Sequence, residues 1–425
     1  MSRTTCKLIA VPTTKKLLVR HFLCLAILAG SLAVGSAARS APLPPPNVVL
    51  GDEVFLRGAW HDLQGRCVGI VTNQTGVTSR LETIVDAIRR NPQICLKAIY
   101  APEHGLRGDR PAAAYVASYV DEHTGLPVYS LYGATRKPTA QMLEGVDVLL
   151  FDIQDVGDRA YTYISTMAYV MQAAKAAHKD VWILDRPNPL GGDVVEGPVL
   201  DPRFESFVGL YPIAVRHGMT VGELAQMFND KFGIGCNLRV ISMQGWKRTM
   251  LWPDTGLVWV QSSPNIPEWE TTLVYPATGL IDSAGLNNGT SYTKPFWYAG
   301  ALGVDGLKLA EYLNARNIPG VHFRAAAWSP TSGFWQGKTL TGVELIVTDP
   351  HAFRGVRTAV ELLVAARKYA PSSPASENSK ALDRDWGTDT LRIGLREGLS
   401  VEEILRQWDG ATRNFIAARS PYLLY

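Results

Sequence analysis

Three groups of residues in this chain have the types and spacing to do chemistry. Glu103 is followed by His104, Asp152, Asp155 and Asp158 by Arg159, and Asp185 by Arg186. Each group follows a short apolar run: Leu96 to Ala101, Val148 to Phe151, and Val181 to Leu184. Apolar runs bounded by polar residues read as strands buried on both faces of a parallel sheet. In open α/β sheets the crevice outside the carboxyl ends of the strands is where ligands bind. Acids delivered there suit general acid–base work. Glu103 is therefore the candidate proton donor, Asp152 and Asp155 are further candidate catalytic acids, and Asp158 reads as structural.

Other groups fall at the same predicted edge. Arg186, stiffened by Pro187 and Pro189, is the type of residue that holds a substrate carboxylate by paired hydrogen bonds. His104, Asp185, Asn188 and His217 belong to strand-end turns, Asn73 to the polar turn after Val68–Val71, and Tyr161 and Tyr163 close the acidic segment. All are candidate substrate contacts. The three aspartates also admit a hard cation, a reading that competes with plain acid catalysis and is not preferred; no metal is expected. Five tryptophans lie between Trp246 and Trp297, and one or two could face a sugar ring, although tryptophan is more often core.

The elements that must hold these groups follow an alternating pattern from Cys67 to Ile241. Leu81–Ile88 and Thr162–Ala177 have helical character, and Thr139–Leu143 suggests a short helix. Thr220 with Glu223 three residues on marks a capping box opening another helix. Alternating strands and helices predict a Rossmann-like parallel sheet with helices on both faces. After about Ile266 the texture becomes mixed, with a helix expected over Gly306–Asn314, a strand over Gly342–Val347 and a helix over Phe353–Lys368. The fold class is α/β, with a catalytic domain over 47–265 and a smaller α+β auxiliary domain over 266–425. No GxGxxG or Walker glycine loop occurs, which argues against a dinucleotide cofactor. GxSxG, HExxH and paired CxxC motifs are also missing, so serine-hydrolase and zinc-protease chemistry is disfavoured.

At 425 residues the chain is long enough for two domains. A net charge of +3 without a basic stripe does not suit nucleic acid. Lys15, Lys16 and Arg20 precede an apolar run from Phe22 to Val34, then Gly35-Ser36-Ala37-Ala38. That is the pattern of a secretory signal over 1–38, and the run is shorter than the roughly 20 residues a membrane span needs. Export is expected, to the periplasm or the medium, with no stable span after cleavage. Cys67, Cys95 and Cys236 remain beyond the signal; buried free thiols are the preferred reading, over one disulfide with a spare.

Several blocks together resemble a known family. They are Val68-Gly69-Ile70-Val71-Thr72-Asn73-Gln74-Thr75-Gly76, Pro102-Glu103-His104-Gly105, Phe151-Asp152-Ile153-Gln154-Asp155-Val156-Gly157, Tyr161-Thr162-Tyr163-Ile164-Ser165, Asp185-Arg186-Pro187-Asn188-Pro189, Glu196-Gly197-Pro198 and His217-Gly218-Met219-Thr220. In this order they look like the exo-acting β-N-acetylmuramidases, from about Gly65 to Tyr425. The resemblance implies a cofactor-free glycoside hydrolase that removes N-acetylmuramic acid from the non-reducing end of peptidoglycan fragments. It also implies a Rossmann-like domain plus an auxiliary domain, and Glu103 as the catalytic residue. The chain departs from the family's Ser-Glu-Gly-Arg-Gly-Thr-Thr block: Asn288 stands in place of Glu and Thr290 in place of Arg. Asn288 is accordingly a candidate substrate contact. Two rival functions remain in view, a non-catalytic binder of muropeptides and a metal-dependent hydrolase of another bond.

Overall fold

The computed structural model describes residues 43–370 and 380–425. The signal expected over 1–38 lies outside the described residues, as do Pro42, which opens the Pro-rich stretch Pro42-Leu43-Pro44-Pro45-Pro46, and the stretch Pro371-Ser372-Ser373-Pro374-Ala375-Ser376, whose composition reads as a surface insert. The strands are β1 (Cys67–Thr72), β2 (Cys95–Ala101), β3 (Tyr119–Val120), β4 (Pro127–Ser130), β5 (Val148–Asp152), β6 (Asp180–Leu184), β7 (Glu196–Val199), β8 (Ala214–Arg216) and β9 (Asn237–Ile241). Seven of them form one sheet in the order β3-β4-β2-β1-β5-β6-β9. Only the short edge strand β3 runs antiparallel to its neighbour; the other pairings are parallel. β7 and β8 pair as a separate antiparallel ribbon.

The apolar runs are continuous because both faces are covered. Val68, Ile70, Val148 and Leu150 pack with Phe55 of α1 (Gly51–Arg57) and Ile84 and Ile88 of α2 (Ile84–Arg89). The alternate residues Val71, Leu149 and Phe151 belong to the opposite layer, with Met167 and Met171 of α3 (Tyr163–Ala176) and Leu224 of α4 (Val221–Asp230). Burying each such side chain contributes roughly 1.5–3 kcal/mol, so neither face of β5 tolerates a polar residue cheaply. The predicted capping box is present: Thr220 Oγ1 accepts from the Glu223 amide, and Glu223 accepts from the Thr220 amide. The helix expected near Thr139 is a single tight turn over Gln141–Leu143.

The later part contains α5 (Trp269–Thr278) and a three-stranded antiparallel sheet, β10 (Tyr298–Ala301), β11 (Val321–Trp328) and β12 (Leu340–Val347), ordered β10-β12-β11. α6 (Gly306–Ala315) packs on β11 and β12, and α7 (Gly355–Tyr369) packs on α5 and α6. Four short helices follow: α8 (Lys380–Trp386), α9 (Thr390–Glu397), α10 (Val401–Arg406) and α11 (Asp409–Arg419). One apolar cluster runs from Phe151 and Met167 through Leu273 and Val343 to Leu363 and Trp408. Pro44–Tyr425 is accordingly one compact unit.

The cysteine reading is corrected. Cys67 and Cys95 form a disulfide, with Cα atoms 4.6 Å apart, while Cys236 is buried and free. The two paired cysteines begin β1 and β2 and are register partners across the parallel pair. The bond therefore closes the amino-terminal edge of the sheet, opposite the acids.

Candidate active site

β2 ends at Ala101, and the chain turns sharply at Pro102–Gly105. His104 and Gly105 both take positive φ, 71° and 78°, a conformation that is costly for a residue with a Cβ. The histidine is held there because its Nδ1 meets the Arg110 carbonyl at 2.8 Å. The turn buries Glu103 to 8% exposure. One carboxylate oxygen accepts from the Ala113 amide at 2.9 Å, the other from the Thr162 hydroxyl at 2.7 Å. Thr162 is the N-cap of α3, yet its hydroxyl makes no bond to the helix amides; it is turned to Glu103 instead. The Tyr132 hydroxyl, two residues beyond β4, is near Glu103, and burial together with that carboxylate's charge raises the phenol's pKa. Glu103 meets only neutral donors and forms no ion pair among the described residues.

The tyrosines frame this carboxylate. Tyr161 donates to Ser262 Oγ at 2.9 Å and Tyr163 to the Ser262 carbonyl at 2.6 Å. Their rings meet edge-on at 4.8 Å, and Tyr275 closes on Tyr161 at 5.8 Å. Burial raises the Tyr163 hydroxyl well above its usual range; Tyr161 adds to the shift, as do the charges of both Glu103 and Asp155. Asp155 thus lies on the same side of the sheet edge. Its Oδ1 accepts from the Gly157 amide at 2.8 Å, its Oδ2 has no partner, and burial pushes the carboxyl up to about 7. Asp158 is alike: Oδ1 caps Ala160 at 2.8 Å, Oδ2 is unpartnered, and burial raises it to about 7. Arg159 is not its ion partner, since that guanidinium bonds the carbonyls of Pro198, Ile213, Asp385 and Trp386.

Several expected contacts bond other groups of the chain. Asp152 is fully buried, and Arg186 donates to its two oxygens at 2.6 and 3.0 Å. The same guanidinium reaches Asp52 and the Val77 carbonyl, both at 2.9 Å, so Arg186 bridges two buried carboxylates. Asp185 accepts from the Gly222 amide, Thr220 and Tyr425. Asn188 bonds the Leu190 amide and the Met219 carbonyl, tying two turns together. His217 is buried, accepts from the Met219 amide, and burial plus Arg419, Arg159, Arg248 and Arg216 hold it near 3, hence neutral. Asn288 spans the Thr278 carbonyl and the Thr290 amide. Asn73 is split: Oδ1 caps Thr75 while Nδ2 has no partner, and the residue lines a cavity of about 290 Å³ with Gln74, Asp86, Arg107, Asp121 and His123. Among the described residues no group of three or more His, Cys, Asp or Glu could hold a metal.

Thr162, Tyr132, Ser262 and Tyr275 were not anticipated. Tyr132 was within reach, because the strand-end rule applies to β4 as it does to β2. Ser262 and Tyr275 carry no local signal; only the fold brings them beside Tyr161.

The chain matches the family models described as exo-beta-N-acetylmuramidase NamZ, N-terminal, over residues 68–270 and the C-terminal counterpart over residues 273–425. It is 44% identical over 399 residues to the peptidoglycan beta-N-acetylmuramidase NamZ of Bacillus subtilis (strain 168), covering 93% of this chain and 96% of that protein. Two crystal structures of DUF1343-family proteins from Bacteroides fragilis NCTC 9343 superpose on it. One gives a TM-score of 0.84 at 36% identity, over 90% of this chain and all of the other. The second gives 0.72 at 27% identity, over 89% of this chain and 99% of the other.

Proposed function

The chain belongs to the exo-β-N-acetylmuramidase family and is a glycoside hydrolase of that activity; we propose that Glu103 is its proton donor and that N-acetylmuramic acid leaves from the non-reducing end of peptidoglycan fragments. The observation that carries the proposal is the setting of Glu103: a buried carboxyl at a sheet edge, held by an amide and a threonine hydroxyl. These neutral donors fix the carboxyl's orientation, and no cation among the described residues pairs with it. Glu103 gives its proton to the glycosidic oxygen as the bond to the muramic-acid anomeric carbon breaks. Asp155 is the second carboxyl of the site, with Oδ2 unspent and a titration near neutrality. Asp152 and Arg186 hold the strand ends that position both.

Export fits the charge, apolar and small-residue pattern before residue 38. It also fits a disulfide between Cys67 and Cys95, a bond characteristic of oxidising compartments. No helix among the described residues is long and apolar enough to cross a membrane.

Digestion of a defined glycan oligomer tests the exo assignment. With a muramic-acid residue at the non-reducing end, free N-acetylmuramic acid should be the first product, and release should stop once N-acetylglucosamine heads the chain. Early appearance of internal fragments would reject it.

A further inference from the structure

Muramic acid carries a lactyl ether ending in a carboxylate, so a site selective for it needs a cation or converging N–H donors. Arg159 and Arg186 follow the strand-end acids, and Arg107 and Lys294 lie on the loops of Glu103 and Asn288. The first two are spent as described above. Arg107 bonds Asp121 at 2.7 Å, and Lys294 bonds Glu344 at 2.8 Å. Arg110 is exposed and faces Asp109 at 3.6 Å.

Arg136 is different. It follows β4 by six residues on the segment that carries Tyr132, and it is exposed. Its guanidinium lies over two rings, 5.0 Å from the Tyr132 centroid and 4.3 Å from that of Phe207. The rings stand 6.0 Å apart, and Phe207 stacks on Tyr169 of α3 at 5.8 Å. The backbone around it is pinned by Thr135, whose hydroxyl bonds the Lys137 carbonyl and amide. Lys137 itself is turned away to Gln172. Among the described residues Arg136 has no carboxylate partner, and stacking on ring faces leaves the edge of a guanidinium open.

We propose that Arg136, seated over the Tyr132 and Phe207 rings, is the specificity-determining residue that receives the lactyl carboxylate. The inference rests on the muramidase reading and adds the group that recognises what distinguishes muramic acid from N-acetylglucosamine. A stacked guanidinium is preorganised, so little freedom is lost when it binds a carboxylate in two-pronged fashion.

The test compares an aryl β-N-acetylmuraminide bearing a free lactyl acid with its lactyl methyl ester, on the full mature chain. Wild type should favour the acid. Arg136→Ala should lose about 10- to 100-fold in kcat/KM on the acid, chiefly through KM, the range expected of a charged hydrogen bond. Its rate on the ester should barely change, so the preference collapses; Arg136→Lys should fall between. A wild type without acid preference, an Arg136→Ala variant that keeps the full preference, or a collapse in Arg110→Ala instead, would each overturn the proposal. A wild type that hydrolyses neither compound would instead refute the muramidase reading. Circular dichroism of each variant separates loss of fold from loss of recognition, and a misfolded Arg136→Ala leaves Arg136→Lys to decide.

Discussion

Two ends of the same sheet carry an acid followed by a base, Glu103-His104 after β2 and Asp185-Arg186 after β6, and they are put to opposite use. At β6 the charges close on one another: Arg186 joins Asp152 and Asp52, and Asp185 gathers Thr220, Gly222 and Tyr425. At β2 the carboxylate meets only neutral donors and is framed by tyrosines. Charge compensation separates the two. A buried acid closed by a guanidinium is part of the scaffold, whereas one held by an amide and a hydroxyl keeps its chemistry available. The acid-then-base pattern in sequence does not reveal which case applies, because the compensating Asp52 lies 134 residues from Arg186.

The contrast can be broken from the scaffold side first. Arg186→Met should leave Asp152 and Asp52 buried and unpaired, destabilising the protein by about 3–5 kcal/mol. Denaturant unfolding would measure this, and the folded remainder should keep its preference for the lactyl acid. An unchanged stability with a lost preference would return Arg186 to the site. At the far edge of the sheet, Cys67→Ser with Cys95→Ser opens a bridge spanning 28 residues. The expected loss is roughly 2–4 kcal/mol with kcat retained, and reduction by dithiothreitol should reproduce it.

Asp155 sharpens the contrast through pH. Its folded carboxyl sits near 7, against about 3.9 in an unfolded chain. The folded state therefore binds more protons between those values, and the contribution to stability declines as pH rises through that window. Asp155→Asn removes the proton linkage, so its stability should gain on wild type from pH 5 to pH 8 by roughly 2 kcal/mol or more. A parallel pair of stability curves would contradict the burial argument. The smallest effect belongs to Tyr132→Phe, which removes the hydroxyl near Glu103 and should lower kcat about 5- to 10-fold, near the scale of one hydrogen bond. Steady-state rates on the aryl muraminide would show it.

Much of this was legible in local patterns. The continuous apolar run of Val148–Phe151 announced a strand buried on both faces, and Thr220 with Glu223 announced the start of α4, because the interactions involved span a few residues. Glu103 was reachable by the same logic, since a strand end is a local event. The partners of each acid were not. Arg186 reads equally well as a substrate clamp or a buried counter-ion until α1 brings Asp52 beneath it. The disulfide was missed for a similar reason. Cys67 and Cys95 become neighbours only when β1 and β2 are placed side by side in register, and an odd cysteine count gave no hint of the pairing. Asn288, substituted relative to the family, pointed to an altered cleft, yet its side chain closes a turn between Thr278 and Thr290.

The most direct test of the central claim measures Glu103→Gln on two leaving groups. Glutamine keeps the shape and can still accept from the Ala113 amide, but it has no proton to give. A muramic acid–N-acetylglucosamine disaccharide has a poor leaving group, and its kcat/KM should fall about 10²- to 10⁴-fold, the usual contribution of general acid catalysis. A dinitrophenyl muraminide departs without protonation and should lose far less. Equal losses on both substrates, or near wild-type rates on the disaccharide, would contradict Glu103 as the proton donor.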